Sequence, residues 1–223
     1  MIDLKSVVAA LAGAAIACGV MTLASGPIIR AYILDHPEIL PQAMQQLQDG
    51  ELAKAVNDNR AALEKPFGNA WAGAANGDVV LVEFFDYACP YCQKSNADVD
   101  RLLAEDKGLK VVWRELPVLG QPSVAAAQAS LAAASQGRFR PFYDAMFEAG
   151  RPGEQSIARA MNASGVAASP ATPEARAEIE RNYQLASAIR ATGTPLFVVG
   201  DKVLQGAVGY DALKQAIAEA RER

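Results

Sequence analysis

The stretch Phe84-Phe85-Asp86-Tyr87-Ala88-Cys89-Pro90-Tyr91-Cys92 decides how this 223-residue chain is read. Just upstream, Val79 to Phe85 is a short apolar run with a single charge, Glu83, entered through Gly77-Asp78. An apolar run of that length bounded by turn residues is the pattern of a strand buried on both faces. From Pro90 to about Glu105 the spacing turns helical. Val99, Leu102 and Leu103 point inward, and Gly108 is read as the close of the helix. The cysteines therefore sit at a strand-to-helix junction. Cys89 falls at the helix N-terminus, where free N–H groups and the helix dipole stabilise a thiolate. Pro90 suits the first helical position because it has no N–H to leave unsatisfied. Cys92, three residues on, is near enough to close a disulfide with Cys89. Such a pair can exchange disulfides: a thiolate attacks, a mixed disulfide forms, and the second cysteine resolves it. A structural disulfide, or a monothiol role that leaves Cys92 unused, is the plainer alternative.

Composition removes several other classes of function. The chain has three cysteines and one histidine. Cys18 lies in an N-terminal apolar run and His36 in a distant helical-looking segment, so the ligand set of about four that zinc needs is missing and no metal site is expected. Net charge is −4 with no basic stripe, which gives nucleic-acid binding no support. Nothing resembles a phosphate-binding or dinucleotide loop, and no cofactor is expected.

The rest of the chain falls into segments. Residues 7–25 carry no charge and follow Lys5, which reads as an export signal or a membrane anchor occupying 1–25. Residues 26–65 form a helical arm. Asp35 and Glu38 are spaced as a capping pair around Pro37, and Pro41 lies near the helix start. Met44, Leu47, Ala55, Val56, Ala62 and Leu63 make a thin apolar stripe that needs a partner, either another copy of the chain or the main domain; the alternative is a solvated linker helix. Residues 66–78, rich in Gly, Ala and Asn, read as a loop. Lys110 to Leu116 supplies a second strand, and strand–helix–strand over this distance predicts a parallel pair. The Ala-rich block at about 120–190 reads as several helices, the last capped by Thr172 with Pro173 in first place and Ala175, Ile179, Tyr183 and Ala186 on one face. Leu196–Val199 and Val203–Gln205 around Gly200-Asp201-Lys202 give a hairpin, and a helix with Leu213 and Ile217 inward ends the chain. The predicted class is α/β: a thioredoxin-like core with an inserted all-helical subdomain, spanning 66–223 and preceded by the arm.

Two further features bear on chemistry. Strand alternation puts Val79, Leu81, Glu83 and Phe85 on one face. A carboxylate there is costly unless it has work or partners, so Glu83 is expected to carry a raised pKa and to move protons to and from Cys92; an exposed edge or a salt bridge is the alternative. Gly193-Thr194-Pro195 directly precedes a strand, where a cis bond would turn the chain toward the cysteines, although most X–Pro bonds are trans.

Taken together, EFFDYACPYC, a helical block and then GTPLFVVGDKVLQG with a terminal helix resemble the DsbA-like thiol–disulfide oxidoreductases over roughly residues 66–223. The segment Ile28 to Leu47, with HPEILPQAM, looks like the helical arm of the ScsC/Com1-like subgroup, some members of which self-associate through it. The resemblance implies Cys89 as nucleophile, Cys92 as resolving cysteine, Glu83 as buried acid and Pro195 as a cis-proline beside the disulfide. Thr194, Pro195, Pro90 and Tyr91 are then the substrate-contacting positions. The chain departs from the pattern of the strong oxidases in one place, with Tyr91 where those carry His, and Thr194 is more like the isomerase side. Oxidation, isomerisation and reduction therefore all stay open. The implied partners are unfolded or cysteine-containing exported proteins, a membrane redox partner and a second copy of the chain through the arm. The implied location is the periplasm or the outer face of the cytoplasmic membrane. A competing reading is an oligomeric holdase with little redox turnover.

Overall fold

The computed structural model describes residue 26, residues 28–167 and residues 172–222. The apolar run at 7–25, expected to be a signal or anchor, lies outside them. Among the described residues no helix is long and apolar enough to cross a membrane.

The chain divides into two compact units with a boundary between Asp49 and Gly50. In the first, residues 28–35 are helical, His36 to Glu38 break the helix around Pro37, and helix α1 begins at Ile39 and runs to Leu63. Within the first unit Tyr32, Leu40, Met44 and Leu47 are exposed.

The second unit is built on a five-stranded sheet in the order β1-β3-β2-β4-β5. Its strands are β1 (Trp71–Gly73), β2 (Val79–Phe85), β3 (Leu109–Glu115), β4 (Leu196–Val199) and β5 (Lys202–Gln205). β2 lies at the centre, parallel to β3 and antiparallel to β4, with Glu83 in register with Trp113 on one side and Phe197 on the other. The parallel pair is joined by helix α2 (Pro90–Glu105). Helices α3 (Gln121–Ser135), α4 (Phe139–Ala149), α5 (Glu154–Ser164) and α6 (Pro173–Ala188) fill the space between β3 and β4, and α7 (Tyr210–Arg221) closes the chain. This is a thioredoxin-like fold with helices inserted between its two halves.

Period-two alternation sorts the central strand into two cores. Leu81 and Phe85 pack with Val99 and Leu102 of α2, Leu213 and Ile217 of α7, and the aromatic residues of α4. Val82 and Phe84 face the opposite side, with Leu185 and Ala186 of α6 and with Val56 and Leu63 of α1. Hence the C-terminal part of the arm's apolar stripe is buried inside the second unit.

A buried cation holds that part of the helix. Arg114 of β3 donates from Nε to the Leu63 carbonyl at 2.8 Å and from Nη2 to the carbonyls of Ala62 and Lys65. Its Nη1 reaches Glu178 at 3.0 Å and Asn182 at 2.8 Å. All five guanidinium N–H groups are thereby used, two of them on orphan carbonyls of the helix end and one on the Lys65 carbonyl just beyond it.

Three local expectations need correction. Residues 66–78 are not loop throughout: Trp71–Gly73 pairs antiparallel with β3, in a segment too short and too rich in small residues to show a strand period. Gly108 does not close α2. Asp106 is its C-cap in extended conformation, and Gly108 sits in the turn leading to β3, its N–H donating to Asp106 Oδ1 at 3.0 Å. The second strand starts one residue early, at Leu109. The Thr172 cap is as expected, accepting from the Ala175 N–H at 3.1 Å.

Candidate active site

The junction after β2 is rigidly built. Cys89 is the N-cap of α2, with φ −85° and ψ 115°, and Pro90 follows in the first turn. Asp86 ties the turn to the rest of the fold. Its Oδ1 accepts from Ala88 N–H at 2.8 Å, its Oδ2 from Leu119 N–H at 3.0 Å, and its backbone carbonyl from Cys89 N–H at 3.0 Å. One short carboxylate thus fixes the cysteine turn against the loop after β3. Tyr87 anchors the other flank: its hydroxyl pairs with Ser130 at 2.8 Å, and its ring lies 5.0 Å from that of Phe147 in α4.

The two cysteines occupy different environments. Cys89 is 6% exposed and Cys92 is fully buried. Both thiols are free in this structure. The Cys89 thiol donates to the Thr194 carbonyl at 3.3 Å, across 105 residues of sequence. The Thr194–Pro195 bond is cis. Burial pushes the Cys92 thiol far up, and the neighbouring charge of Glu83 pushes it further.

Glu83 is fully buried on β2. Its Oε2 accepts from Trp113 Nε1 at 2.9 Å, and its Oε1 has no partner among the described residues. Burial raises its pKa to about 8, against the Trp113 bond, which favours the ionised form; Asp100 raises it further and Arg140 opposes. A carboxyl group titrating near neutrality and coupled to a buried thiol can both give and take a proton there.

The fold therefore brings Cys89, Cys92, Thr194, Pro195 and Glu83 to one end of the central strand, with Pro90 beside them. Tyr91 is different: it is 64% exposed and points outward from the helix start. Sequence reasoning missed Asp86, Trp113, Arg114 and Glu115. Glu115 is in register with Phe85 and fully buried, and burial holds its carboxyl well above the ordinary range. The signal that found Glu83, a charge inside an apolar strand, was also present in Val111-Val112-Trp113-Arg114-Glu115. Asp86 had a signal too, since Asp readily bonds the backbone two residues on.

A thioredoxin fold with an exposed-side and a buried-side cysteine at the first helix defines a dithiol exchange scaffold. The chain belongs to the DSBA-like thioredoxin domain family, whose model matches residues 80–218. A second model, the copper resistance protein ScsC N-terminal domain, matches residues 26–54. Among the described residues no three His, Cys, Asp or Glu side chains gather as a metal site. Among solved structures, a thioredoxin-like oxidoreductase from Silicibacter pomeroyi is 36% identical, with a TM-score of 0.70 over 74% of this chain and 99% of that one. A periplasmic thioredoxin-like protein from Salmonella enterica is 26% identical, with a TM-score of 0.70 over 75% and 98%. A curated relative, the Na(+)/H(+) antiporter NhaA 3 of Salinispora tropica, is 28% identical over 156 residues, or 66% of this chain and 24% of that protein. The match spans about a quarter of the length of three of these antiporter relatives and about an eighth of four others.

Proposed function

We propose that the chain exchanges disulfides with cysteine-containing exported proteins through the Cys89–Cys92 pair. The observation that carries this reading is the asymmetry of the pair at the start of α2: Cys89 borders the surface and the Thr194 carbonyl, whereas Cys92 is sealed beneath it. In the reducing direction Cys89 thiolate attacks a client disulfide, forms a mixed disulfide and releases one client sulfur as thiolate. Cys92 then loses its proton to Glu83 and attacks Cys89, releasing the second client sulfur. Two electrons pass from the protein to the client. The same steps in reverse oxidise the client. The Thr194 carbonyl and Pro195 offer backbone against which an extended client segment lies, with Pro90 and Tyr91 as its other contacts.

The periplasmic neighbour and the charge-free run at 7–25 support action outside the cytoplasm, with a membrane dithiol protein restoring the redox state of the pair. The exposed Leu40, Met44 and Leu47 support self-association through the arm. No antiporter activity is proposed, because the match covers only a quarter of those proteins.

The test is trapping. With Cys92→Ser, a mixed disulfide between Cys89 and a client should accumulate, and with Cys89→Ser none should form. Equal trapping by both variants would contradict the assignment.

A further inference from the structure

Beside Cys89 there is a cavity of about 240 Å³, lined in part by Tyr87, Pro90, Gln93, Phe147, Gly150 and Arg151. Cys89 itself forms part of its wall. The cavity is smaller than a drug-sized binding site, so its room is that of a side chain or two. Tyr87, Pro90 and Phe147 supply its ring-bearing side chains. Gln93 bridges the two sides, with its Nε2 3.5 Å from the Phe147 carbonyl.

The polar end is Arg151. Helix α4 stops at Gly150, whose φ of 85° and ψ of −145° is a backbone conformation open to glycine and strained for other residues. This turn sets Arg151 beside the start of α2. Arg151 is exposed, and its guanidinium makes no ion pair or hydrogen bond among the described residues; Glu148 and Glu154, the nearest acids in sequence, are not bonded to it. The first turn of α2 carries no acidic residue, so the partial positive charge of the helix start is also unopposed from its own side chains. The whole chain has a net charge of −4, so a local positive site acts at short range against a mildly repelling background.

We propose that this cavity is a selectivity subsite for a carboxylate carried close to the reacting sulfur of the substrate, with Arg151 as its counter-ion and the Tyr87–Pro90–Phe147 wall packing against the connecting carbons. The inference rests on the exchange reading above and deepens it by naming a substrate class. A carboxylate in that position is offered by an acidic residue next to a client cysteine and by a glutathione-like small thiol. Neither Thr194 nor Pro195 lines the cavity, so a client strand held against that backbone leaves the cavity open to a side chain. Positioning of this kind raises the rate of attack without touching the sulfur chemistry.

The test uses the reduced full chain and measures its oxidation to the Cys89–Cys92 disulfide by matched peptide disulfides. The residue beside the peptide's reacting cysteine is Glu, Gln or Lys. Glutathione disulfide and its carboxyl-esterified form make a second pair, and bis(2-hydroxyethyl) disulfide reports exchange that needs no carboxylate. The parent should prefer Glu over Gln by about threefold to tenfold, the range between an exposed ion pair and a charge-assisted hydrogen bond. The preference should shrink with salt, approach one in Arg151→Ala, survive in part in Arg151→Lys, and turn toward Lys in Arg151→Glu. Each ratio is taken within one protein sample, so a loss of folded material does not move it. A response of peptides alone, or of glutathione alone, supports the subsite and identifies the source of the carboxylate. A parent ratio near one in both pairs, or a preference unchanged in Arg151→Ala, overturns the subsite while exchange with the hydroxyethyl disulfide leaves the redox reading standing. Failure to react with any disulfide overturns both.

Discussion

Glu83 of β2 and Trp113 of β3 stand directly opposite in the parallel register, and the indole N–H donates to the Glu83 carboxyl at 2.9 Å. The second carboxyl oxygen is buried, with no partner among the described residues. This pairing sets the proton affinity of the acid beneath the cysteines. Burial lifts it, and the single indole bond holds it at about 8 instead of letting it rise further.

The pH dependence of stability follows from that value. Below the ordinary carboxylate value of 4.5 the folded and unfolded chains both hold the proton. Between 4.5 and about 8 only the folded chain keeps it, so stability attributable to Glu83 is full at low pH and is lost as pH rises through that window. Glu83→Gln mimics the neutral acid and removes this loss. It should match the parent near pH 4 and exceed it by roughly 2–5 kcal/mol at pH 9, read by urea unfolding at both pH values. A parent whose stability relative to the variant does not change with pH would mean that Glu83 is ionised as an ordinary carboxylate.

The same acid should appear in kinetics. Glu83→Gln should slow resolution of a Cys89 mixed disulfide by roughly 10²-fold, the usual size of a lost acid–base contribution. Trp113→Phe removes the donor that favours the ionised form, so the inflection in the rate profile should move above its parent position near 8. Stopped-flow measurement of mixed-disulfide decay against pH checks both, and an inflection that moves down in Trp113→Phe would contradict the pairing.

The two thiols should differ in access as well. With the native protein at neutral pH, iodoacetamide should label Cys89 and leave Cys92 untouched, because Cys92 is fully buried and its thiol is held far up by burial. In denaturant both should react. Peptide mapping by mass spectrometry reads this, and comparable native labelling of both would remove the asymmetry on which the proposed mechanism depends.

Arg114 gives a prediction on stability. Its removal frees the end of α1 and leaves the Glu178 carboxylate, 5% exposed at the side chain, with only its ion pair to the exposed Arg181. Arg114→Met should cost roughly 3–5 kcal/mol, since it removes one partner of a buried pair together with bonds to Asn182 and to three carbonyls. Adding Glu178→Gln should recover part of that loss. Denaturant unfolding of the two variants measures it; a double variant no better than the single would show that the bonds to Asn182 and to the carbonyls of Ala62, Leu63 and Lys65 account for the whole effect.

The exposed half of the arm can be tested without truncation. Replacing Leu40, Met44 and Leu47 together with Gln should lower the mass measured by light scattering if the arm self-associates, and should leave labelling of Cys89 unaltered. Equal masses would remove self-association from the account.

Much of this fold was legible because its elements carry their own punctuation. Val79–Phe85 shows as an apolar run closed by Asp86, α2 by Pro90 at its first position, and α6 by the Thr172–Pro173 start. β1 was not legible: Trp71–Gly73 is a strand only because β3 offers it an edge. The docking of Val56 and Leu63 depends likewise on Val82, Phe84 and Leu185, which are distant in sequence. At the site, Cys89, Cys92 and Glu83 could be read from local spacing. The 3.3 Å approach of Cys89 to Thr194 joins residues 105 apart; the Gly193-Thr194-Pro195 spacing allowed it, and the family resemblance was needed to favour it over the commoner trans bond. Arg151 gave no signal, because an exposed arginine after a glycine is ordinary until the wall it faces is known.

The most direct test of the central claim is a redox titration of the full chain in glutathione buffers, with free thiols counted by alkylation and assigned by peptide mapping. The account predicts that Cys89 and Cys92 are lost and regained together in a single two-electron transition, independently of Cys18. Cys89 and Cys92 remaining reduced across the whole range, or titrating separately as two monothiols, would contradict it.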